Sequence, residues 1–171
     1  MIALCKAKKL DLNNKNSILT LSMDRLSKIC LEISKFPHPY DNTGELRFED
    51  DVFSTPNRET NISISKKASF DLTGNITIGS WVMIGGETRL ITHDHYYMGR
   101  EKTIIEMEEE KGVWWSDLVI GSDIWIHNSI ILPQVTNIPD GVVIGTNSVL
   151  TKNPGPYEIW AGNPAKKVGE R

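Results

Sequence analysis

The sequence predicts an all-β chain wound as a parallel β-helix, and two observations carry that expectation. Ile120, Ile126, Leu132, Ile138, Ile144 and Leu150 recur at intervals of six residues, as do Leu72, Ile78, Ile84 and Leu90 earlier in the chain. A helix spaces its apolar residues by three and four, and a half-buried strand alternates by two. A period of six therefore marks a repeated supersecondary unit, the sign of a parallel β-helix. The second observation is that the position two residues before most of these is also apolar: Phe70, Ile76, Val82, Leu118, Ile124, Ile130 and Val142. Side chains two apart on a strand share a face, so each unit reads as a short strand with two inward residues followed by a turn. Gly121, Asn128, Asp140, Gly141, Gly145 and Asn147 supply the turns, being residue types that bend at small cost.

Length and composition bound the rest. A chain of 171 residues is long enough for one domain with a sizeable core. A net charge of -3 offers no electrostatic reason to expect nucleic acid or an anionic membrane as a partner. No apolar run approaches the ~18 to 20 residues that span a bilayer. Met1 to Lys9 lacks the apolar core and cleavage site of a signal peptide, so a cytoplasmic location is expected. Cys5 and Cys30 lie outside the repeats and read as reduced structural thiols.

In chain order, residues 1–60 show no repeat and read as an irregular N-terminal cap. Leu26, Ile29, Cys30 and Ile33 fit a helical stripe from Ser22 that ends before Pro37. Leu31-Glu32-Ile33 and Leu46-Arg47-Phe48 fit the apolar-x-apolar unit equally well. His38 to Thr60 reads as loop, with His38 a turn residue between two prolines. Residues 61–153 read as the β-helix, interrupted by an inserted loop over 92–117 that carries His93, His95, several glutamates and Trp114-Trp115. A long loop inside a regular solenoid has no role in the core and points to function. Residues 154–171 read as a tail after Asn153-Pro154-Gly155-Pro156 stops the strands.

From about Ile62 to Val168 the chain resembles the hexapeptide-repeat acyltransferases, the superfamily of maltose, galactoside, virginiamycin and capsular-sugar O-acetyltransferases. The resemblance is carried by the repeats, by Gly162-Asn163-Pro164-Ala165 after Ser148-Val149-Leu150-Thr151-Lys152, and by Gly85 ten residues before His95 with Tyr97 following. It implies a left-handed coil, whereas the general rule for parallel crossovers predicts the opposite hand. It also implies a homotrimer with active sites between subunits, and acetyl-coenzyme A as co-substrate with no metal. The acceptor it implies is a hydroxyl of a saccharide or lipopolysaccharide unit.

Acyl transfer from a thioester to a hydroxyl needs a base, oxyanion donors and a grip on the carrier. Histidine suits the base because its ordinary pKa lies near working pH. On the resemblance, His95 is the catalytic base, with His93 second and otherwise a polar strand-end residue. Glu106 or Glu108 is a candidate to hold the imidazole, and Trp125, Tyr97, Glu106 and Trp115 are candidate acceptor contacts. Trp125 points outward because it sits between two inward residues. For coenzyme A the resemblance implies Gly145, Thr146, Thr151, Lys152, Ala161, Pro164, Lys166 and Lys167, with the lysines meeting phosphates.

The chain departs from the family at Trp125-Ile126-His127, where glycine is usual after the isoleucine, and at Pro133-Gln134-Val135. One residue is missing from the turn before Ile131 and one, Asn137, is extra before Ile138. A different backbone path is expected there. Three rival readings stand beside the O-acetyltransferase: an N-acetyltransferase of nucleotide-linked amino sugars, a γ-carbonic-anhydrase-like metalloprotein, and a non-catalytic β-helical scaffold. The metalloprotein reading lacks the pair of histidines five apart that it needs.

Overall fold

Three short parallel sheets form the walls of a coil, and the chain visits them in rotation. The computed structural model describes residues 46–48, 62–65 and 67–171. The first wall stacks β1 (Leu46–Phe48), β4 (Ile76–Ile78), β9 (Leu118–Ile120) and β12 (Asn137–Ile138). In the second wall lie β2 (Ile62–Ile64), β5 (Val82–Ile84), β10 (Ile124–Ile126), β13 (Val143–Ile144) and β15 (Glu158–Gly162). The third consists of β3 (Ser69–Phe70), β6 (Arg89–Leu90), β11 (Ile130–Ile131) and β14 (Val149–Leu150).

Strict alternation within three-residue strands turns two side chains inward and one outward. Aligned register then stacks like on like. Ile78, Ile120 and Ile138 form one buried column, and Ile64, Ile84, Ile126, Ile144 and Trp160 another. Phe70, Leu90, Ile131 and Leu150 form the third.

That third column corrects the six-residue spacing. The repeat assigns Leu132 inward with Ile130 as its partner, but Ile131 pairs with Leu90 and Leu150 and is 0% exposed, while Ile130 and Leu132 are half-buried. The turn before Ile131 is one residue short and the segment after it one residue long, so the strand slips by one and its faces exchange. Pro133 and Val135 fill the longer corner. In the first coil likewise, Phe70 holds the wall position and Leu72 packs into the corner behind it.

The corners explain two sequence features. A Cβ on Gly79 would lie 2.7 Å from the carbonyl oxygen of Gly121 in the next coil, so only glycine lets these backbones approach. At the corner between the second and third walls, buried hydroxyls satisfy the turns. Thr88 Oγ1 donates to the His127 carbonyl (3.1 Å), Ser129 Oγ donates to the Gly145 carbonyl (2.8 Å), and Ser148 Oγ accepts from the Gly162 N–H (3.1 Å).

The tail does not stop the strands. After the proline-rich segment, β15 joins the second wall parallel to β13, and β16 (Ala165–Glu170) folds back against it. Trp160 closes the end of the core at 5% exposure. Its indole N–H donates to Glu158 (2.8 Å), which also accepts from the Gly155 N–H and pairs with Lys167. Lys167, then Trp160 and Gly155, hold the Glu158 carboxyl down to about 2.

Within the stretch expected as an irregular cap, Leu46–Phe48 is a regular strand of the first wall. The expected helical stripe from Ser22, the alternative strand at Leu31–Ile33, Cys5, Cys30 and His38 lie outside the described residues. No helix among the described residues is long and apolar enough to cross a membrane.

Candidate active site

The insertion over 92–117 is more ordered than a loop. Its two ends pair as an antiparallel ribbon, β7 (His93–His95) with β8 (Val113–Trp115), and the helix α1 (Ile104–Lys111) lies between them. The expected loop missed this helix, whose start is marked by the capping box Thr103-x-x-Glu106. Thr103 Oγ1 accepts the Glu106 N–H at 3.2 Å, and the Glu106 carboxylate accepts the Thr103 N–H at 2.7 Å. The Thr103 N–H and hydroxyl hold the Glu106 carboxyl below its ordinary value. Glu106 is thus engaged in starting the helix and is absent from the groove lining. Gly112, at φ +71°, ends the helix.

With the helix fixed, Glu108 takes the place beside the histidine. Its Oε2 lies 2.8 Å from His95 Nδ1, and both side chains are about one-third exposed. A carboxylate facing Nδ1 favours the tautomer with its proton there, which leaves Nε2 with the lone pair a base needs. His95 opens onto a groove lined with Tyr96, Tyr97, Met98, Lys111 and Trp114, and the Lys111 ammonium sits 5.4 Å from the centre of the Tyr96 ring. Tyr97 shares this groove with His95. Trp115, opposite His93 in the ribbon, is 56% exposed and absent from the groove lining, which takes Trp114 instead. Tyr96, Met98 and Lys111 were not anticipated, and Trp114 stood out only as one of the paired tryptophans of the inserted loop.

His93 is placed differently. Its ring meets that of His95 edge to face at 5.7 Å, but its Nδ1 lies 2.5 Å from Asp71 Oδ2 and its side chain is mostly buried. Asp71 was not anticipated. Burial alone would raise its carboxyl, but hydrogen bonds from Thr73, Thr92 and His93 outweigh this and hold it below the usual carboxylate value. Among the described residues, no three His, Cys, Asp or Glu side chains gather to hold a metal ion.

Trp125 projects from the second wall and is absent from the groove lining; Met83 pairs with it in register and is exposed beside it. His127, where the sequence departs from glycine, forms its turn without positive φ. Its stack neighbours Gly85 and Gly145 have no Cβ, and its N–H continues the ladder to the Ile144 carbonyl (3.0 Å). His127 Nδ1 lies 2.8 Å from Thr146 Oγ1, and its ring meets that of Trp125 at 5.5 Å.

The residues expected to hold coenzyme A gather around the last coils. Gly145 contacts Ala161, which lies opposite Lys166 in the terminal hairpin, and Thr151-Lys152 follow β14 with the Lys152 ammonium over the Trp160 ring at 5.4 Å. Pro164 sits in the hairpin turn. Lys167 is the exception: it is ion-paired to Glu170 and Glu158, which in that order raise its pKa. Lys152 and Lys166 are exposed.

No family model matches the chain. Its homologues are acetyltransferases. It is 50% identical over 56 residues to a chloramphenicol acetyltransferase of Agrobacterium fabrum, a match spanning 32% of this chain and 26% of that one. A Staphylococcus aureus protein named as an acetyltransferase is 29% identical over 159 residues, 84% of this chain and 78% of the relative. Among solved structures, a hexapeptide-repeat acetyltransferase from Vibrio cholerae superposes with a TM-score of 0.54 and 26% identity over 61% of this chain and 56% of the other. A galactoside acetyltransferase in complex with coenzyme A gives 0.53 and 27% over 60% of this chain and 48% of that one. The chain thus spans about a quarter of the Agrobacterium relative and about half of these structural neighbours. The shared architecture is the left-handed β-helix of hexapeptide-repeat acetyltransferases.

Proposed function

We propose that the protein is an acetyl-coenzyme A-dependent O-acetyltransferase acting on a hydroxyl of a saccharide unit, with His95 as the general base. The observation that carries this reading is the His95–Glu108 pair at the head of an aromatic groove, on an arm that the coil itself does not need. In the reaction, His95 Nε2 removes the acceptor proton as the hydroxyl oxygen attacks the acetyl carbonyl. Glu108 keeps the proton on Nδ1 and balances the imidazolium as it forms. Collapse of the tetrahedral intermediate breaks the carbon–sulfur bond, and the departing sulfur takes the proton from His95 Nε2, which releases coenzyme A as the thiol and restores the base. Lys152 and Lys166 meet the carrier's phosphates. A homotrimer fits the exposed Met83 and Trp125, which a neighbouring copy would cover while Trp125 closes the groove.

A second reading of the acceptor has its own support. Likeness to a chloramphenicol acetyltransferase, together with Tyr96, Tyr97, Met98 and Trp114 around the groove, favours a small apolar molecule bearing a hydroxyl. Thiol release from acetyl-coenzyme A, measured against sugars, nucleotide sugars, amino sugars and chloramphenicol-like alcohols, separates the two. Sugar-dependent release supports the first reading and release confined to apolar alcohols the second. No acceptor-dependent release with any class refutes the proposal.

A further inference from the structure

The start of the insertion is tied to the coil by a buried carboxylate. Asp71, at the corner after β3, accepts five hydrogen bonds. Oδ1 takes the Thr73 N–H (3.0 Å) and hydroxyl (2.8 Å). Oδ2 takes the Thr92 N–H (2.9 Å), the His93 N–H (3.1 Å) and His93 Nδ1 (2.5 Å). The Thr92 hydroxyl returns a bond to the Asp71 carbonyl at 2.8 Å and accepts the Gly74 N–H at 2.9 Å. Thr92 and His93 are the residues at which the chain leaves the third wall to enter β7, and His95 lies two residues further on.

We infer that Asp71 and His93 are positioning residues that fix the direction in which β7 leaves the coil, and through it the placement of His95 in the groove. Packing alone does not account for the arrangement. A buried carboxylate is costly unless it is fully satisfied, and the core position beside it, Leu72, shows that an apolar residue fits this corner. Three of the five donors come from the departing strand, and each fixes a different part of it: two successive peptide N–H groups set the backbone direction, and the imidazole sets the side-chain rotamer. The edge of the His93 ring then bears on the His95 ring at 5.7 Å and limits its tilt. Displacement of a reacting group by about 1 Å costs on the order of a hundredfold in rate, so the anchor acts on turnover without touching substrate. As a statement about catalysis, this inference rests on the acetyltransferase reading.

The test compares Asp71→Asn, His93→Asn and His93→Leu in the full chain. Turnover and acceptor KM are followed by thiol release, coenzyme A binding by calorimetry, and backbone amide exchange across residues 92–95 and 113–115. Asparagine in place of His93 keeps a donor near the position of Nδ1; leucine does not. The expected result is a fall in kcat of about tenfold or more for Asp71→Asn and His93→Leu. Acceptor KM and coenzyme A binding stay within about threefold, exchange in the ribbon is faster, and His93→Asn recovers most of the loss. Equal kcat in all three variants, or unchanged ribbon exchange in Asp71→Asn, would overturn the inference, as would a parallel loss of coenzyme A binding, which signals general unfolding. Absence of acceptor-dependent release in the unsubstituted protein would defeat the acetyltransferase reading alone, and the exchange data would still decide whether Asp71 anchors the arm.

Discussion

Replacing Ile131 and Leu132 by alanine, one at a time, tests the register of the third wall. The six-residue period places Leu132 in the core, whereas the strand pairing places Ile131 there, fully buried between Leu90 and Leu150, with Leu132 half-buried at the edge. Truncating a fully buried isoleucine loses its transfer free energy and leaves a cavity, at a cost of about 2–5 kcal/mol. Leu132 is only partly withdrawn from water, so its truncation costs about 1 kcal/mol. For a chain of this size each kcal/mol moves the melting temperature by roughly 2–4 °C. Ile131→Ala should therefore lower Tm by about 4–20 °C and Leu132→Ala by about 2–4 °C, measured by circular dichroism at one fixed protein concentration. Equal losses, or a larger loss for Leu132→Ala, would refute the slipped register and restore the uninterrupted repeat.

Three further outcomes are expected. Glu108→Gln keeps the shape beside His95 but loses the charge that balances the imidazolium, so kcat should fall by about tenfold or more with coenzyme A binding unchanged. Lys152→Ala and Lys166→Ala should each raise the KM for acetyl-coenzyme A, with the difference shrinking in high salt, whereas Lys167→Ala should leave that KM nearly unchanged because Lys167 is already paired. Glu158 has a folded pKa of about 2 against an ordinary 4.5, a depressed value. Its contribution to the terminal hairpin is therefore full above about pH 4.5 and fades as pH falls toward 2. Trp160 fluorescence followed on acidification should report that loss, and Glu158→Gln should show no transition in that range.

The coil was legible because burial writes itself into spacing. A strand pointing two residues inward and one outward in every turn leaves a six-residue trace, and glycines mark corners such as Gly79 where backbones nearly touch. The one-residue slip at Ile131 was visible as a short turn before it and an extra Asn137 after it, although the apolar run Ile130-Ile131-Leu132 hid which residue faced inward. His95 and Tyr97 stood out through the resemblance, which places a histidine and a tyrosine at this spacing from Gly85, and Glu108 was one of two glutamates considered. The choice between those two depended on the phase of a helix, which Thr103 sets by taking Glu106 for its cap. Asp71 left no trace: it is one acidic residue in a strand-like run, and its role depends on Thr92 and His93 arriving a full coil later. The hairpin at the C-terminus was obscured by Pro154 and Pro156, which interrupt the coil without ending it.

The most direct test of the whole account is acceptor-dependent thiol release by His95→Ala, run beside the unsubstituted protein and beside calorimetric binding of coenzyme A. Removal of a positioned general base is expected to lower turnover by about 10²- to 10⁴-fold while coenzyme A binds as before. Turnover within about twofold of the unsubstituted protein, with binding intact, would show that the proton leaves the acceptor by another route and that the arm carrying His95 and Glu108 is not the catalytic centre.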